Sequence, residues 1–137
     1  SRVVFLNGSF LPLEEARIPI MDRGFLFSDG VYEGFGILGG RLVDNDLHLA
    51  RLERSLSEIR IANPYSRAQW TAFEEELIRR NDFDEGFLYL QVTRGVADRD
   101  FNFPDAGDPT IVMFTQVRSI AKSPAADKGI AVITVPD

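Results

Sequence analysis

Apolar and polar positions divide the chain into short apolar runs and two longer stretches of helical period. Val3-Val4-Phe5-Leu6 predicts a short strand. Asn7-Gly8 is a strong hairpin signal, with Ser9-Phe10-Leu11 returning before Pro12 ends the run. Residues 17–20 read as extended or irregular. Asp29-Gly30 reads as a turn feeding a strand over 31–38, apolar enough to lie inside a sheet. Gly39-Gly40 turns the chain, and residues 41–43 pair back. Asp44 or Asn45 then caps a helix reaching to about residue 61, with Leu49, Leu52, Leu56 and Ile59 at the 3, 4, 3 spacing of a buried stripe. Asn63-Pro64-Tyr65 breaks it. Ser66 followed by Gln69 is a capping box for a second helix, whose apolar face is Trp70, Phe73, Leu77 and Ile78. Trp70 is expected in the core. Residues 86–93 and 110–117 predict two further inner strands, separated by a long acidic loop over 94–107 that carries Arg94, Arg99, Phe101, Phe103 and Pro104. Loops of that length in compact domains are often binding loops.

This order of elements predicts an α+β fold over residues 1–118, with an antiparallel-rich sheet and two helices on one face. Residues 119–128, small, polar and interrupted by a proline, read as an interdomain linker. Residues 129–137 then read as the first strand of a second domain, which makes the chain an N-terminal piece of a larger protein. A hydrophobic content of 45% and a charged content of 26% describe a soluble globular protein. No apolar run approaches the ~20 residues of a membrane span, and there is no signal-peptide layout. The chain has no cysteine, which removes disulfide and thiolate chemistry and fits a cytoplasmic home. A net charge of −6 argues against nucleic acid as a partner. The basic residues are thirteen arginines and two lysines, Lys122 and Lys128.

The densest chemistry lies between Met21 and Gly34. Gly24 and Gly30 permit unusual backbone angles or close approach. On the next strand, Val31 and Glu33 point one way, Tyr32 and Gly34 the other. A phenol beside a glycine suits a substrate wall; it equally suits a partly buried packing residue. His48 and Arg51, three residues apart, border the apolar stripe of the first helix, where they can reach a cleft. The pattern D-R-G-x-x-F-x-D-G-V-Y-E from Asp22 to Glu33, together with Asp46-Leu47-His48-Leu49-Ala50-Arg51-Leu52 and Val92-Thr93-Arg94-Gly95, resembles the fold-type IV pyridoxal-phosphate aminotransferases, and within them the D-amino-acid branch.

That resemblance implies an enzyme moving an amino group from a D-amino acid to a 2-oxo acid on pyridoxal 5'-phosphate, as a homodimer. It assigns the cofactor phosphate to Arg51, with His48 either orienting Arg51 or capping the stripe. It assigns the substrate carboxylate to Tyr32 and to Arg99 acting from the neighbouring subunit. Phe101 stands where the family has a histidine, which weakens or rebuilds the carboxylate grip. Gly34 replaces a bulkier residue and is expected to widen the pocket beside Tyr32. Arg94 is expected to tie down its loop. The resemblance implies that the Schiff-base lysine and the acid for the ring nitrogen belong to a second domain and are expected beyond Asp137; neither Lys122 nor Lys128 lies in a pocket-like pattern, so the chain as given should not transaminate. The same resemblance leaves open a branched-chain L-amino-acid aminotransferase or an aminodeoxychorismate lyase. From a different class, the domain could be a catalytically silent dimerisation module.

Overall fold

The computed structural model describes residues 1–105, 107–122 and 124–136. The chain opens with β1 (Val3–Leu6) and β2 (Ser9–Pro12), joined by the Asn7-Gly8 turn. Asn7 and Gly8 take φ of 48° and 92°, the left-handed pair that matches strand twist in a tight hairpin. Asn7 also ties this hairpin to the last strand: its N–H donates to the Ile111 carbonyl, and its Oδ1 accepts from the Ile111 N–H at 2.8 Å.

β3 (Gly30–Leu38), β4 (Arg41–Leu42), β5 (Glu85–Thr93) and β6 (Thr110–Val117) complete a six-stranded sheet of order β2-β1-β6-β5-β3-β4, antiparallel throughout. Period-two alternation sends Phe35 and Ile37 of β3, Leu88, Leu90 and Val92 of β5, and Ile111 and Met113 of β6 into one core. Two helices cover that face: α2 (Asn45–Glu58) through Leu49, Leu52 and Leu56, and α3 (Arg67–Asn81) through Trp70, Leu77 and Ile78. Trp70 is fully buried, and its Nε1–H donates to Asn63 Oδ1 at 3.0 Å, so the residue that breaks the first helix satisfies the core indole. The capping box is complete: the Gln69 N–H donates to Ser66 Oγ, and the Ser66 N–H to Gln69 Oε1. No helix among the described residues is long and apolar enough to cross a membrane.

The structure differs from the sequence expectations in four places. A five-residue helix, α1 (Arg23–Phe27), stands where no regular element was expected, with Asp22 as its N-cap accepting from the Gly24 N–H. Such a helix is too short for a 3.6-residue period to show. The turn into β3 is made by Ser28, at φ 55°, and Gly30 is already in the strand. Gly30 is needed there for close approach, because a Cβ would lie 2.7 Å from the Val92 carbonyl oxygen. α2 ends at Glu58, since Arg60 adopts φ 58° and turns Ile61 back into the core. Finally, the segment expected as a linker contains α4 (Pro124–Lys128), and residues 129–136 form no strand: they are exposed and have no ladder partner among the described residues. An extended segment becomes a strand only when another pairs with it.

Candidate functional site

Glu33 lies on the core face of β3, with a side chain 2% exposed. A carboxylate there is untenable without partners, and α2 supplies them. Arg51 Nε donates to Glu33 Oε1 and Nη2 to Oε2, both at 2.8 Å, a bidentate fork. His48 Nδ1 shares Oε2 at 2.8 Å, its ring against Phe35. Burial pushes the Glu33 carboxyl up, but the hydrogen bonds and charges of Arg51 and His48 outweigh it and hold it below the usual carboxylate range. The Arg51 guanidinium is pushed up by its bond to Glu33. Its side chain is nonetheless 57% exposed, and no bond to its Nη1 is formed among the described residues. Glu33 therefore grips the inner edge of Arg51 and turns the outer edge outward, with its donors free.

The strand that carries Glu33 has an open stretch of its own among the described residues. β4 pairs only with Ile37 and Leu38, and the Val43 N–H adds a bond to the Gly36 carbonyl. By the alternation of an antiparallel ladder, the main-chain groups of Gly34 and Tyr32 point to the same unpaired side. Tyr32 is 68% exposed on the face away from the helices. Its ring stacks on Tyr89 at 5.5 Å, which stacks in turn on Phe114 at 5.0 Å. Tyr89 donates to Gln91 Oε1 at 2.8 Å. Gln91, Tyr32, Val31, Gly30, Ser28 and Gly24 line a concavity of about 210 Å³. The expected room beside Gly34 is taken: a Cβ there would sit 2.3 Å from Phe87 Cζ, so Gly34 accommodates an aromatic neighbour and does not widen the pocket.

A larger cleft, about 960 Å³, opens between the β3–β4 turn, the start of α2 and the end of α3. Asp44, Asp46, Glu75, Asp82 and Asp84 outnumber Arg41 and Arg79 around it, the wrong balance for a phosphate or carboxylate ligand.

Arg99 and Phe101 are not brought to that cluster within the chain. Arg99 lies over the rings of Phe27 (5.1 Å) and Phe101 (5.3 Å), and Phe101 is 80% exposed. Their loop is fastened at its root. Asp29 Oδ2 accepts from Arg23 Nε and Arg94 Nε, both at 2.7 Å, and Oδ1 accepts from Arg94 Nη2 at 3.0 Å. Burial pushes the Asp29 carboxyl up, while the two arginines win and hold it low. Arg94 thus ties the loop down as expected, and does so through Asp29. Lys122 and Lys128 are both exposed.

Sequence reasoning put Arg51, His48 and Tyr32 beside a cleft but gave Glu33 and Asp29 no role. The signal for Glu33 was present: an acid on the inward parity of an apolar strand requires a cation, and two basic residues three apart stood on the facing helix. Asp29 offered no such signal, because its two arginines lie 6 and 65 positions away.

Residues 30–137 match the family model for amino-transferase class IV. The chain is 37% identical over 114 residues to a D-alanine aminotransferase of Staphylococcus aureus, covering 82% of this chain and 40% of that protein. It is 36% identical over 135 residues to a D-alanine aminotransferase of Bacillus licheniformis, covering 98% and 47%. The fold is shared with the Escherichia coli branched-chain amino acid aminotransferase, at a TM-score of 0.82 and 16% identity over 90% of this chain and 42% of that one. It is also shared with the Pseudomonas aeruginosa 4-amino-4-deoxychorismate lyase, at a TM-score of 0.71 and 25% identity over 93% and 44%. The chain spans less than half the length of these relatives.

Proposed function

The chain belongs to the class IV aminotransferase family, and we propose that it forms the small domain of a pyridoxal-phosphate enzyme that moves an amino group from a D-amino acid to a 2-oxo acid. The carrying observation is the outward edge of Arg51, fixed by the buried carboxylate of Glu33, the residue that follows the exposed Tyr32 on β3. A planar guanidinium whose inner donors are already committed suffers little further ordering on taking a phosphate dianion. Arg51 therefore holds the cofactor phosphate, and His48 steadies Glu33 behind it. Tyr32, with a hydroxyl donor on a ring braced by Tyr89, meets the substrate carboxylate. Arg99 serves the same carboxylate from the neighbouring subunit of a homodimer, consistent with its position away from Tyr32 in its own chain. When bound, pyridoxal phosphate supplies the electron-withdrawing ring through which the amino group changes carbon skeletons. This chain's share is binding and orientation, since neither exposed lysine is desolvated as a nucleophilic amine must be. Residues 1–118 form the domain, and residues 119–128 link it to a second one.

Cofactor titration of the full-length protein tests the phosphate role. Arg51→Ala should weaken pyridoxal-phosphate affinity about ten- to a hundred-fold, the range for losing a charge-assisted contact, measured at a temperature where urea unfolding shows the variant still folded, since it also takes the bidentate partner from Glu33. Unchanged affinity would remove Arg51 from the site. A panel of D- and L-amino donors tests the substrate: amino transfer from L-donors alone overturns the D-amino-acid assignment.

A further inference from the structure

We infer that Asp29 is a positioning residue for the substrate-binding loop, acting through two buried arginines on the segment that carries Arg99. The inference rests on the reading of Arg99 as a substrate-carboxylate residue. Asp29 sits at the root of β3, three residues before Tyr32. Its carboxylate is about 10% exposed, and the side chains of Arg23 and Arg94 are 4% and 9% exposed. Each arginine carries the anchor onward. Arg23 Nη1 donates to the Asp100 carbonyl at 2.7 Å, on the peptide next to Arg99. The Arg23 guanidinium also lies 4.8 Å over the Phe27 ring, the ring that Arg99 covers from 5.1 Å. Arg94 Nη2 donates to the Ile59 carbonyl at 2.8 Å at the end of α2, and its guanidinium lies 3.7 Å over Phe103. Main-chain bonds run alongside: Arg23 N–H to the Gly95 carbonyl, Ala97 N–H to the Met21 carbonyl, and Arg94 N–H to the Asp29 carbonyl.

The geometry makes Asp29 a common origin. One carboxylate fixes the strand that presents Tyr32, the arginine that holds the Asp100 carbonyl, and the arginine at which the loop begins. Without its charge, Arg23 and Arg94 face each other as unpaired buried cations, and the loop loses its reference to β3. A displacement on the order of 1 Å in a positioning group is enough for a large loss in substrate handling.

The test is a mutant cycle in the full-length, cofactor-loaded enzyme, with Asp29→Asn, Arg99→Ala and the double variant. Asp29→Asn should raise KM for the amino donor on the order of ten- to a hundred-fold, with cofactor affinity changed by less than about two-fold. Added to Arg99→Ala it should cost little more, because both changes disable one contact. If Arg99→Ala raises KM while Asp29→Asn leaves it unchanged, or if the two effects multiply, the positioning role is overturned. If Arg99→Ala itself leaves KM unchanged, the reading of Arg99 fails, and the role assigned to Asp29 fails with it. Amide hydrogen exchange separates that failure from a failure of the anchoring. In the full-length protein, Asp29→Asn should speed exchange over residues 98–103 while sparing β5 and β6, and unaltered exchange there overturns the anchoring. Should Asp29→Asn not fold, Arg23→Lys decides. It keeps the charge beside Asp29 and removes the bond to the Asp100 carbonyl, so it should raise KM in the same direction, and an unchanged KM overturns the role.

Discussion

Two carboxylates four residues apart each hold two basic side chains: Asp29 with Arg23 and Arg94, and Glu33 with Arg51 and His48. Glu33 is buried and Asp29 nearly so, and both are held below the usual carboxylate range against the effect of burial. The difference lies in what the arginines do with their remaining donors. Arg23 Nη1 and both Nη atoms of Arg94 donate to the carbonyls of Asp100, Ile59 and Arg60, and the two side chains, 4% and 9% exposed, lie against aromatic rings. Arg51 commits one edge and leaves the other in solvent. The same acid–arginine unit is thus a structural knot in one place and a presented ligand in the other. Donors held out in solvent distinguish the two, and neither residue type nor ion-pair geometry does so alone.

The sharpest way to break the comparison is to remove each acid. Asp29→Ala strands two buried guanidiniums, and breaking a buried ion pair from one side costs about 3–5 kcal/mol. Glu33→Ala should cost less, because a half-exposed Arg51 can turn to water. Urea unfolding of both variants checks this, and a larger loss for Glu33→Ala would reverse the assignment of knot and presenter. The acid dependence obeys the same logic. Asp29 titrates below its ordinary 3.8 in the folded chain, so its stabilisation is complete above that value and is lost as pH falls through the lowered one.

Glu74 on α3 is a fully buried carboxyl, and no cation pairs with it among the described residues. Neither of its oxygens, nor Asn45 Oδ1 on α2, has a hydrogen-bond donor there, and Asn45 is the polar side chain that interacts with it. Burial pushes its pKa to about 8, assisted by the charge of Glu75. Asn45 alone pulls the other way, and burial outweighs it, so the folded carboxyl favours its neutral form. The folded state keeps the proton at pH values where the unfolded chain, near 4.5, has released it. Stability should therefore fall as pH rises from about 4.5 to about 8 and level off above that. Glu74→Gln keeps the shape and a donor, so it should flatten this slope and gain about 2 kcal/mol at pH 8. A slope unchanged in the variant would mean that Glu74 is ionised in the fold.

A smaller effect is expected from Arg51→Lys. Lysine keeps the charge but lacks the planar fork, so Glu33 no longer aims it. Cofactor affinity should fall by roughly ten-fold, less than for Arg51→Ala. If lysine restores full affinity, charge alone suffices and the fixed outer edge contributes nothing.

The contrast also explains what could be read in advance. The sheet, both long helices and the core were legible, because apolar period and capping pairs such as Ser66 and Gln69 act within a few residues. Arg51 and Tyr32 stood out through motif. Asp29 did not, because its partner Arg94 is distant in sequence and only the β3–β5 register brings them together. The space beside Gly34 was misjudged for a similar reason: the ring that fills it belongs to Phe87, on the neighbouring strand.

The smallest effect belongs to an arginine fork outside both nodes. Arg67 Nε and Nη2 donate to Glu53 Oε1 and Oε2 at 2.9 and 2.7 Å, nearly the geometry by which Arg51 holds Glu33. Here, however, the acid is on the surface: the two side chains are 49% and 39% exposed. Water competes for both, salt screens them, and ordering two long side chains offsets the gain. Glu53 therefore cannot fix Arg67 as buried Glu33 fixes Arg51, even though both arginines are about half exposed. Arg67→Ala should leave the urea midpoint and cofactor affinity of the full-length protein unchanged within error, at low and at high salt. A loss of cofactor affinity as large as that of Arg51→Ala would show that an exposed fork is enough. The buried carboxylate behind Arg51 would then no longer be what turns an ion pair into a binding site.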